Sequence, residues 1–273
     1  MHISDLRRPD AVGSQARTVY MKLISFNVNG IRASVGKGLY RTIADLAPDI
    51  ICFQETKATP EQVAVALGEA KGYHVQAVGA QRPGYSGTAI ASKEKPTKVA
   101  FGIGIVDHDQ EGRVVTCTFK DVVVVCVYTP NSGEGMKRLG YRTEWDTAFR
   151  NYVNGLAKGK VPVIVTGDLN VAHQPIDIAR PKENYNKTSG YTQQEIDGIG
   201  ALLASGWVDT FRHFHPETVK YSWWSQRLGA RAKNVGWRLD YVLVSKGFEK
   251  KVRAAFILDE VMGSDHCPVG IEW

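Results

Sequence analysis

Short apolar runs rich in valine and isoleucine recur along this chain, separated by turn residues such as glycine, proline and aspartate. Runs of this length and β-branched content predict strands. The predicted strands are residues 22–28, 50–54, 74–78, 88–92, 99–105, 113–119, 122–128, 162–166, 221–224, 239–244 and 269–272. No run approaches the roughly 18–20 apolar residues that span a bilayer, so we expect no membrane partner.

Apolar positions three or four residues apart predict a smaller number of helices. The predicted helices are residues 38–46, 60–70, 137–157 and 193–205. This mixture of many strands and few helices does not suit a purely parallel, doubly wound sheet. Two stacked sheets flanked by helices fit it better.

The chain shows no linker-like change in composition between its halves. We therefore predict a single domain over residues 21–273, preceded by a polar, flexible arm over residues 1–20. Met21 opens the first regular segment and is an alternative start of translation.

Composition and charge narrow the range of functions. Hydrophobic residues make up 43% and charged residues 23% of the chain, which is typical of a globular protein. The formal net charge is +6, but residues 212–253 hold ten Lys/Arg and three Asp/Glu, so this segment is +7 and the remainder is −1. A localised basic face favours a polyanionic partner, and a solvated charged surface is the alternative.

The four cysteines show no CxxC spacing, and most lie in apolar runs. A disulfide framework or a zinc cluster is therefore not expected. We expect a reducing, intracellular compartment, which is the cytoplasm or nucleoid if the source is prokaryotic.

Polar side chains cluster where the apolar runs end, at positions from which loops commonly carry function. They are Asn27, Asn29, Glu55, Tyr128, Asn131, Asp168, Asn170, Asp240, Asp265 and His266. If the strands end at one edge, these residues build a pocket of carboxylates, amides and an imidazole. The alternative is a set of separate caps and turns.

Such a pocket suits Mg²⁺, which takes oxygen ligands and typically uses one or two protein carboxylates. Zinc would need more His or Cys ligands. The chain contains neither a GxSxG nucleophile elbow nor a P-loop.

Seven motifs, in this order, resemble the endonuclease/exonuclease/phosphatase superfamily and, more closely, its exonuclease III-type apurinic/apyrimidinic endonucleases. They are NVNGIRA (27–33), QETK (54–57), GYSG (84–87), HDQEGR (108–113), GDLNVAH (167–173), NVGWRLDY (234–241) and GSDHCP (263–268). The resemblance covers essentially residues 21–273, and GYSG, the EGR turn and NVGWRLDY are more specific to the DNA-repair branch.

The resemblance implies an α/β four-layer sandwich of two packed, mainly antiparallel six-stranded sheets flanked by helices. It also implies Mg²⁺-dependent hydrolysis of the phosphodiester 5′ to an abasic site in double-stranded DNA, which leaves a 3′-hydroxyl and a 5′-deoxyribose phosphate. Mn²⁺ is expected to substitute, and the number of ions is open. Members often add 3′-phosphatase, 3′-phosphodiesterase and 3′–5′ exonuclease activities, so 3′-blocked lesions are further expected substrates for a monomeric enzyme.

Carried over residue by residue, the resemblance assigns Glu55 as the principal metal ligand. Around it, the same comparison places Asn29, Asp265 and Asn27 on the metal side. Asp168 matches the residue that orients or deprotonates the attacking water. The remaining catalytic matches hold or face the scissile phosphate and are Asn170, His266 with its partner Asp240, Tyr128 and Asn131.

For DNA binding, the resemblance assigns an apolar sugar pocket to Trp223, Trp237 and Leu239. It places Arg227 in the loop that family members insert into the helix. Expected backbone contacts are Arg32, Lys57, Tyr85, Arg138, Tyr141 and Arg231. Glu134 stands where some members carry a basic residue.

Two other functions stay open on the sequence alone. The first is a phosphodiesterase acting on a lipid or inositol phosphate through the same metal site. The second is a catalytically inactive DNA-binding module. The basic segment argues against the first, and the complete set of catalytic residue types argues against the second.

Overall fold

The computed structural model describes residues 20–68 and 70–273. The predicted arm over residues 1–20 lies outside the described residues except for Tyr20. The strands are β1 (Lys22–Asn27), β2 (Ile50–Gln54), β3 (His74–Val78), β4 (Thr88–Ser92), β5 (Lys98–Phe101), β6 (Val114–Thr118), β7 (Val123–Tyr128), β8 (Val163–Asp168), β9 (Trp207–Asp209), β10 (Trp223–Trp224), β11 (Gly236–Trp237), β12 (Asp240–Ser245), β13 (Ala254–Ile257) and β14 (Val269–Glu272).

Eight α-helices are present in the described residues. They are α1 (Ile31–Gly36), α2 (Leu39–Leu46), α3 (Pro60–Ala66), α4 (Val106–Asp109), α5 (Leu139–Ala157), α6 (Pro181–Asn184), α7 (Gln193–Ala204) and α8 (Thr210–Phe214). Thr59 caps α3, with its side chain accepting a hydrogen bond from the Gln62 amide. None of the described helices has the length and apolar character needed to cross a membrane.

The strands form two six-stranded sheets, ordered β13-β14-β1-β2-β4-β3 and β5-β6-β7-β8-β12-β9, and β10 pairs with β11 in a small third sheet. Each large sheet contains one parallel pairing, β1 with β2 and β7 with β8, among antiparallel ones. The predicted four-layer sandwich is confirmed, but the sheets are mixed. The sequence pattern missed β9 and β13, which are short strands at sheet edges, and the two-residue strand β11.

Alternation along the strands explains the layers, because successive side chains point to opposite faces of a sheet. Leu23 of β1 and Val124 of β7 share the core between the two sheets. Ile24 packs outward with α2 and α3, and Val125 packs outward with α5 and α7. The result is helix on sheet on sheet on helix.

Strand direction brings the polar residues to one edge. Parallel β7 and β8 end together, with Tyr128 beside Asp168. Asp240 pairs with Asp168 because β12 begins where the antiparallel β8 ends. The expectation that each polar residue follows a strand is therefore wrong for Asp240, and also for His266, which precedes β14.

Candidate active site

Buried carboxylate and amide groups form the centre of this edge. The Asn27 side-chain amide donates to Glu55 Oε1 at 3.1 Å and to Asp168 Oδ2 at 2.9 Å. The Asn170 backbone amide donates to Asp168 Oδ1 at 2.8 Å. Both oxygens of the buried Asp168 are thus oriented by donors.

Gly167 makes this arrangement sterically feasible. Its φ is 147°, and a Cβ there would lie 1.8 Å from the Val127 carbonyl oxygen. Any side chain would push β8 away from β7, so the glycine preceding Asp168 is required for the close parallel pairing.

Left-handed backbone also concentrates here. Asn29, Glu55, Lys57 and Asn170 all have φ between 46° and 51°. Asparagine tolerates this region, whereas Glu55 and Lys57 adopt it only at an energetic cost. Hydrogen bonds from Gly30 N to Glu55 O and from Lys57 N to Ser86 O hold the turn.

A second group lies beside Glu55. The Lys57 ammonium contacts Glu55 Oε2 at 3.0 Å and donates to Asn29 Oδ1. Asn29 in turn donates to Asp265 Oδ1 at 2.9 Å. Burial raises the pKa of Glu55, but the Lys57 charge and the Asn27 hydrogen bond outweigh it and leave that pKa below its ordinary value.

His266 is held between two buried carboxylates. Its Nδ1 donates to Asp240 Oδ2 at 2.8 Å, and its Nε2 lies 3.7 Å from Asp168 Oδ2. Burial lowers the pKa of His266, yet Asp240 and then Asp168 outweigh it and raise that pKa to about 10. Burial raises the pKa of Asp168 to about 7, against the attraction of His266.

The phosphate-facing amides predicted from the sequence form a chain. Asn131 donates to Asn170 Oδ1 at 2.9 Å, and Asn170 donates to the Thr129 carbonyl at 2.8 Å. Asn131 Oδ1 accepts from Gly133 N and Ser189 Oγ. These bonds hold both amide planes in one orientation.

The donor set fits a hard divalent cation. Glu55, Asp168 and His266 each offer one ligand atom within 4.8 Å of the others. A protonated His266 has no free lone pair for a cation, so carboxylate oxygen, as at Glu55, is the ligand type here that Mg²⁺ prefers.

An aromatic wall adjoins these groups. Trp223 donates to Asp265 Oδ2 at 3.3 Å and meets Trp237 edge-on, with ring centroids 6.0 Å apart. Trp237 packs with Leu239 and also with Tyr191, which the sequence pattern did not single out.

The other expected DNA contacts are more dispersed. Arg138 contacts both Tyr85 and Tyr141, and Arg113 links Tyr85 to Tyr128, whereas Arg32 lines a separate groove on α1. Arg227 is exposed on its loop. The Arg231 guanidinium donates to the carbonyls of Asp259, Val261 and Ser264 and stacks on Trp224.

Two buried arginines support the site without having been predicted. Arg142 donates to the carbonyls of Pro130, Leu169 and Asn170, which belong to two site loops. It occupies the apolar stripe of α5, three residues before Trp145, and a charged residue at such a position is a signal for a buried ion. The Arg238 guanidinium donates hydrogen bonds to Asp177 and Asp209, next to Trp237 of the aromatic wall.

Arg238→Met should destabilise the protein by about 3–5 kcal/mol, because it leaves Asp209 buried without its cation. Arg238 is fully buried, and its Nη2 donates to Asp209 Oδ2 at 2.8 Å. Urea unfolding followed by fluorescence measures the change.

Arg41→Met is the matched control, since this α2 side chain is 88% exposed. Its unfolding midpoint should remain at the wild-type value. Equal midpoints for Arg238→Met and wild type would contradict the structural role of the buried network.

The four-layer fold and its acidic, histidine-containing edge define the protein as a phosphodiester hydrolase. The chain belongs to the Endonuclease/Exonuclease/phosphatase family, whose sequence profile matches residues 24–266. It is 48% identical over 251 residues to an exodeoxyribonuclease of Bacillus subtilis (strain 168), covering 91% of this chain and 98% of that protein. The resemblance to exonuclease III-type enzymes is confirmed.

Solved structures agree. The AP endonuclease of Leishmania major superposes with a TM-score of 0.84 at 29% identity, covering 99% of this chain and 92% of that one. A 3′ phosphatase from Neisseria bound to a product DNA hairpin has a TM-score of 0.84 at 26% identity, covering 93% and 99% respectively.

Proposed function

We propose that this chain is a DNA-repair endonuclease that hydrolyses the phosphodiester 5′ to an abasic site in duplex DNA. Water attacks phosphorus, the bond to the 3′ oxygen of the preceding nucleotide breaks, and a 3′-hydroxyl and a 5′-deoxyribose phosphate result. One observation carries the proposal: the oriented carboxylate of Asp168 and the Asp240–His266 pair lie beside an apolar aromatic wall.

Asp168 accepts the proton of the attacking water in this proposal. A general base works best when its pKa is near the working pH, and burial raises the pKa of Asp168 to about 7. The donors from Asn27 and Asn170 hold the carboxylate while it acts.

The phosphate is held by groups that match its growing negative charge. His266 carries a proton on Nε2 at neutral pH, since its pKa is raised to about 10, and that N–H faces the phosphate. Asn170, Asn131 and Tyr128 supply further donors around it. Donors fixed before the reaction stabilise the transition state without reorganising.

Glu55 would hold the metal, with Asp168 as the neighbouring carboxylate. When bound, Mg²⁺ supplies Lewis-acid stabilisation of the phosphoryl oxygens. Asn29, Asn27 and Asp265 orient this side of the site through their hydrogen bonds.

Selection for damage follows from the wall beside the phosphate site. A nucleotide without its base stacks poorly and is extruded at a lower energetic cost. Trp223 is partly exposed and packs over the buried Trp237 and Leu239, which makes this apolar group suited to a bare sugar. Related proteins described as an exodeoxyribonuclease, an AP endonuclease and a 3′ phosphatase support this substrate class.

Purified protein should nick a duplex containing one tetrahydrofuran abasic analogue when Mg²⁺ is present. Gel electrophoresis against size markers identifies the 3′-hydroxyl product. Failure to nick across a range of Mg²⁺ and salt concentrations would overturn the proposal. Parallel 3′-phosphate and 3′-recessed duplexes test the proposed phosphatase and exonuclease side activities.

Glu55→Gln should raise the Mg²⁺ concentration for half-maximal nicking by about 10-fold or more, because hard cations bind charged oxygens more strongly than amides. A titration of nicking rate against Mg²⁺ measures the shift, and Mn²⁺ is tested in the same way.

Glu217→Gln, at an exposed position, is the control and should leave the titration unchanged. If Glu55→Gln shows the wild-type dependence of nicking rate on Mg²⁺ concentration, Glu55 is not the principal metal ligand.

We further propose that residues 21–273 act as one domain, that the enzyme is a monomer, and that it works in a reducing, intracellular compartment. All four cysteines are buried and free, which supports the last point. Sedimentation of the protein with and without abasic duplex tests the oligomeric state.

A further inference from the structure

The GYSG motif and the EGR turn, which the proposed mechanism does not use, contact each other next to Tyr128. GYSG contributes Tyr85, and the EGR turn contributes Glu111 and Arg113. Together with Arg138 they form a hydrogen-bonded group, which we call the arginine–tyrosine cluster.

Arg113 is the buried member of this cluster, at 2% exposure. Its Nε donates to Glu111 Oε2 at 2.7 Å, and its Nη2 donates to the Tyr85 hydroxyl at 3.0 Å. Its Nη1 donates to the Tyr128 carbonyl at 2.9 Å. All three nitrogens of the guanidinium are therefore engaged, each in a different direction.

Arg113 also covers the face of the Tyr128 ring, with its Cζ 4.8 Å from the ring centroid. The Tyr128 amide donates to the Arg113 carbonyl at 2.9 Å, so the two residues are joined by main-chain and side-chain contacts. A guanidinium over an aromatic face is an attractive pair, and more so when both are desolvated.

Arg138 holds the cluster from the other side. Its Nη1 donates to the Tyr85 hydroxyl at 2.9 Å, and its Nη2 donates to both Glu111 oxygens at 2.9 and 3.1 Å. Tyr85 and Glu111 thus each accept from both arginines. The Arg113 guanidinium has little freedom to rotate as a result.

Gly112 sets the position of Arg113. Its φ is 61°, and a Cβ there would lie 2.5 Å from the carbonyl of Gly79. Only glycine allows the EGR turn to approach this backbone and present Arg113 beneath Tyr128.

We propose that Arg113 is a positioning residue that holds the Tyr128 hydroxyl at the scissile phosphate. The inference rests on the proposed function of this site. In the proposed function Arg113 contacts neither the phosphate nor a metal ligand and acts only through Tyr128, which lies beside Asp168 at the ends of the paired strands β7 and β8. This role requires the planar guanidinium of Arg113, which donates in three fixed directions. A lysine at this position would keep the positive charge but could not make the same three bonds.

A double-mutant cycle with the abasic duplex tests the proposal. Arg113→Lys should lower kcat by about 10- to 100-fold, since small misplacements of a catalytic group cost this much. The KM for the duplex should change less than about threefold. In the Tyr128→Phe background, where the positioned hydroxyl is absent, Arg113→Lys should have almost no further effect on kcat.

Asn131→Ala provides the matched background, because Asn131 contacts the amide chain and Ser189 rather than Arg113. There, Arg113→Lys should keep its full effect on kcat. Equal losses in the Tyr128→Phe and Asn131→Ala backgrounds would overturn the inference, because they would show a general structural role. An unchanged kcat for the single Arg113→Lys variant would overturn it too.

If Arg113→Lys does not fold, Tyr85→Phe replaces it in the cycle, since it removes one of the three anchors of Arg113, together with the hydrogen bond that the same hydroxyl accepts from Arg138. The loss in kcat caused by Tyr85→Phe should be smaller and should also vanish in the Tyr128→Phe background. A loss that persists in that background would contradict the proposal.

The two proposals fail in different ways. Wild-type protein that does not nick the duplex refutes the proposed function itself. Active wild-type protein with an additive double-mutant cycle refutes only the role of Arg113.

Discussion

Asp168→Asn should lower kcat for nicking of the abasic duplex by about 10²- to 10⁴-fold, the contribution typical of a general base. The substitution is nearly isosteric and keeps an oxygen that can accept from the Asn170 amide. It removes the group that takes the proton from water, without opening a cavity. Single-turnover nicking rates measure the loss.

Asp121→Asn, between β6 and β7, is the control because this carboxylate is exposed. It should nick at the wild-type rate. Thermal unfolding of both variants separates lost chemistry from lost structure. A folded Asp168→Asn protein with a near wild-type rate would show that another group activates the water.

His266→Ala should lower kcat by about 10²- to 10³-fold, the usual effect of removing one preorganised donor from a developing oxyanion. Asp240 is the largest of the three charges, with Asp168 and Asp265, that raise the pKa of His266 to about 10. Asp240→Asn should therefore lower that pKa, because burial then acts against the charged ring with less opposition. Imidazole NMR signals of metal-free protein, followed against pH, measure the shift.

The direction of the pKa shift follows from the fact that the protonated form of His266 is the charged one. His266 is protonated below its pKa, so lowering that pKa in Asp240→Asn should make the ring lose its proton at a lower pH than in wild type. His74→Ala, on the exposed start of β3, controls for nonspecific loss of a histidine and should nick normally. An unchanged His266 titration in Asp240→Asn would show that the charge of Asp240 does not raise the pKa of His266.

Local patterns were sufficient for most of the central strands. Val123–Tyr128 and Ile50–Gln54 are continuous β-branched or apolar runs, buried on both faces, and such runs predict strands without tertiary information. Short edge elements such as Trp207–Asp209 lack a pattern long enough to read, because pairing with β12 rather than local composition makes them strands.

The candidate site residues could also be singled out, since carboxylates and amides next to apolar runs are chemically distinctive. Their contacts were not. That Asn27 bridges Glu55 and Asp168, over 28 and 141 residues of separation, depends on which strands neighbour each other.

The sequence alone indicated a layered fold through its periods of two and about four residues, and its motifs indicated the class of chemistry and the candidate catalytic groups through their resemblance to exonuclease III-type enzymes. Only the tertiary structure decided that Arg113 lies beneath Tyr128, that Arg142 ties two site loops, and that burial raises the pKa of Asp168. Each of these depends on how separate strands, helices and loops lie against one another, and sheet order and strand direction set those distances.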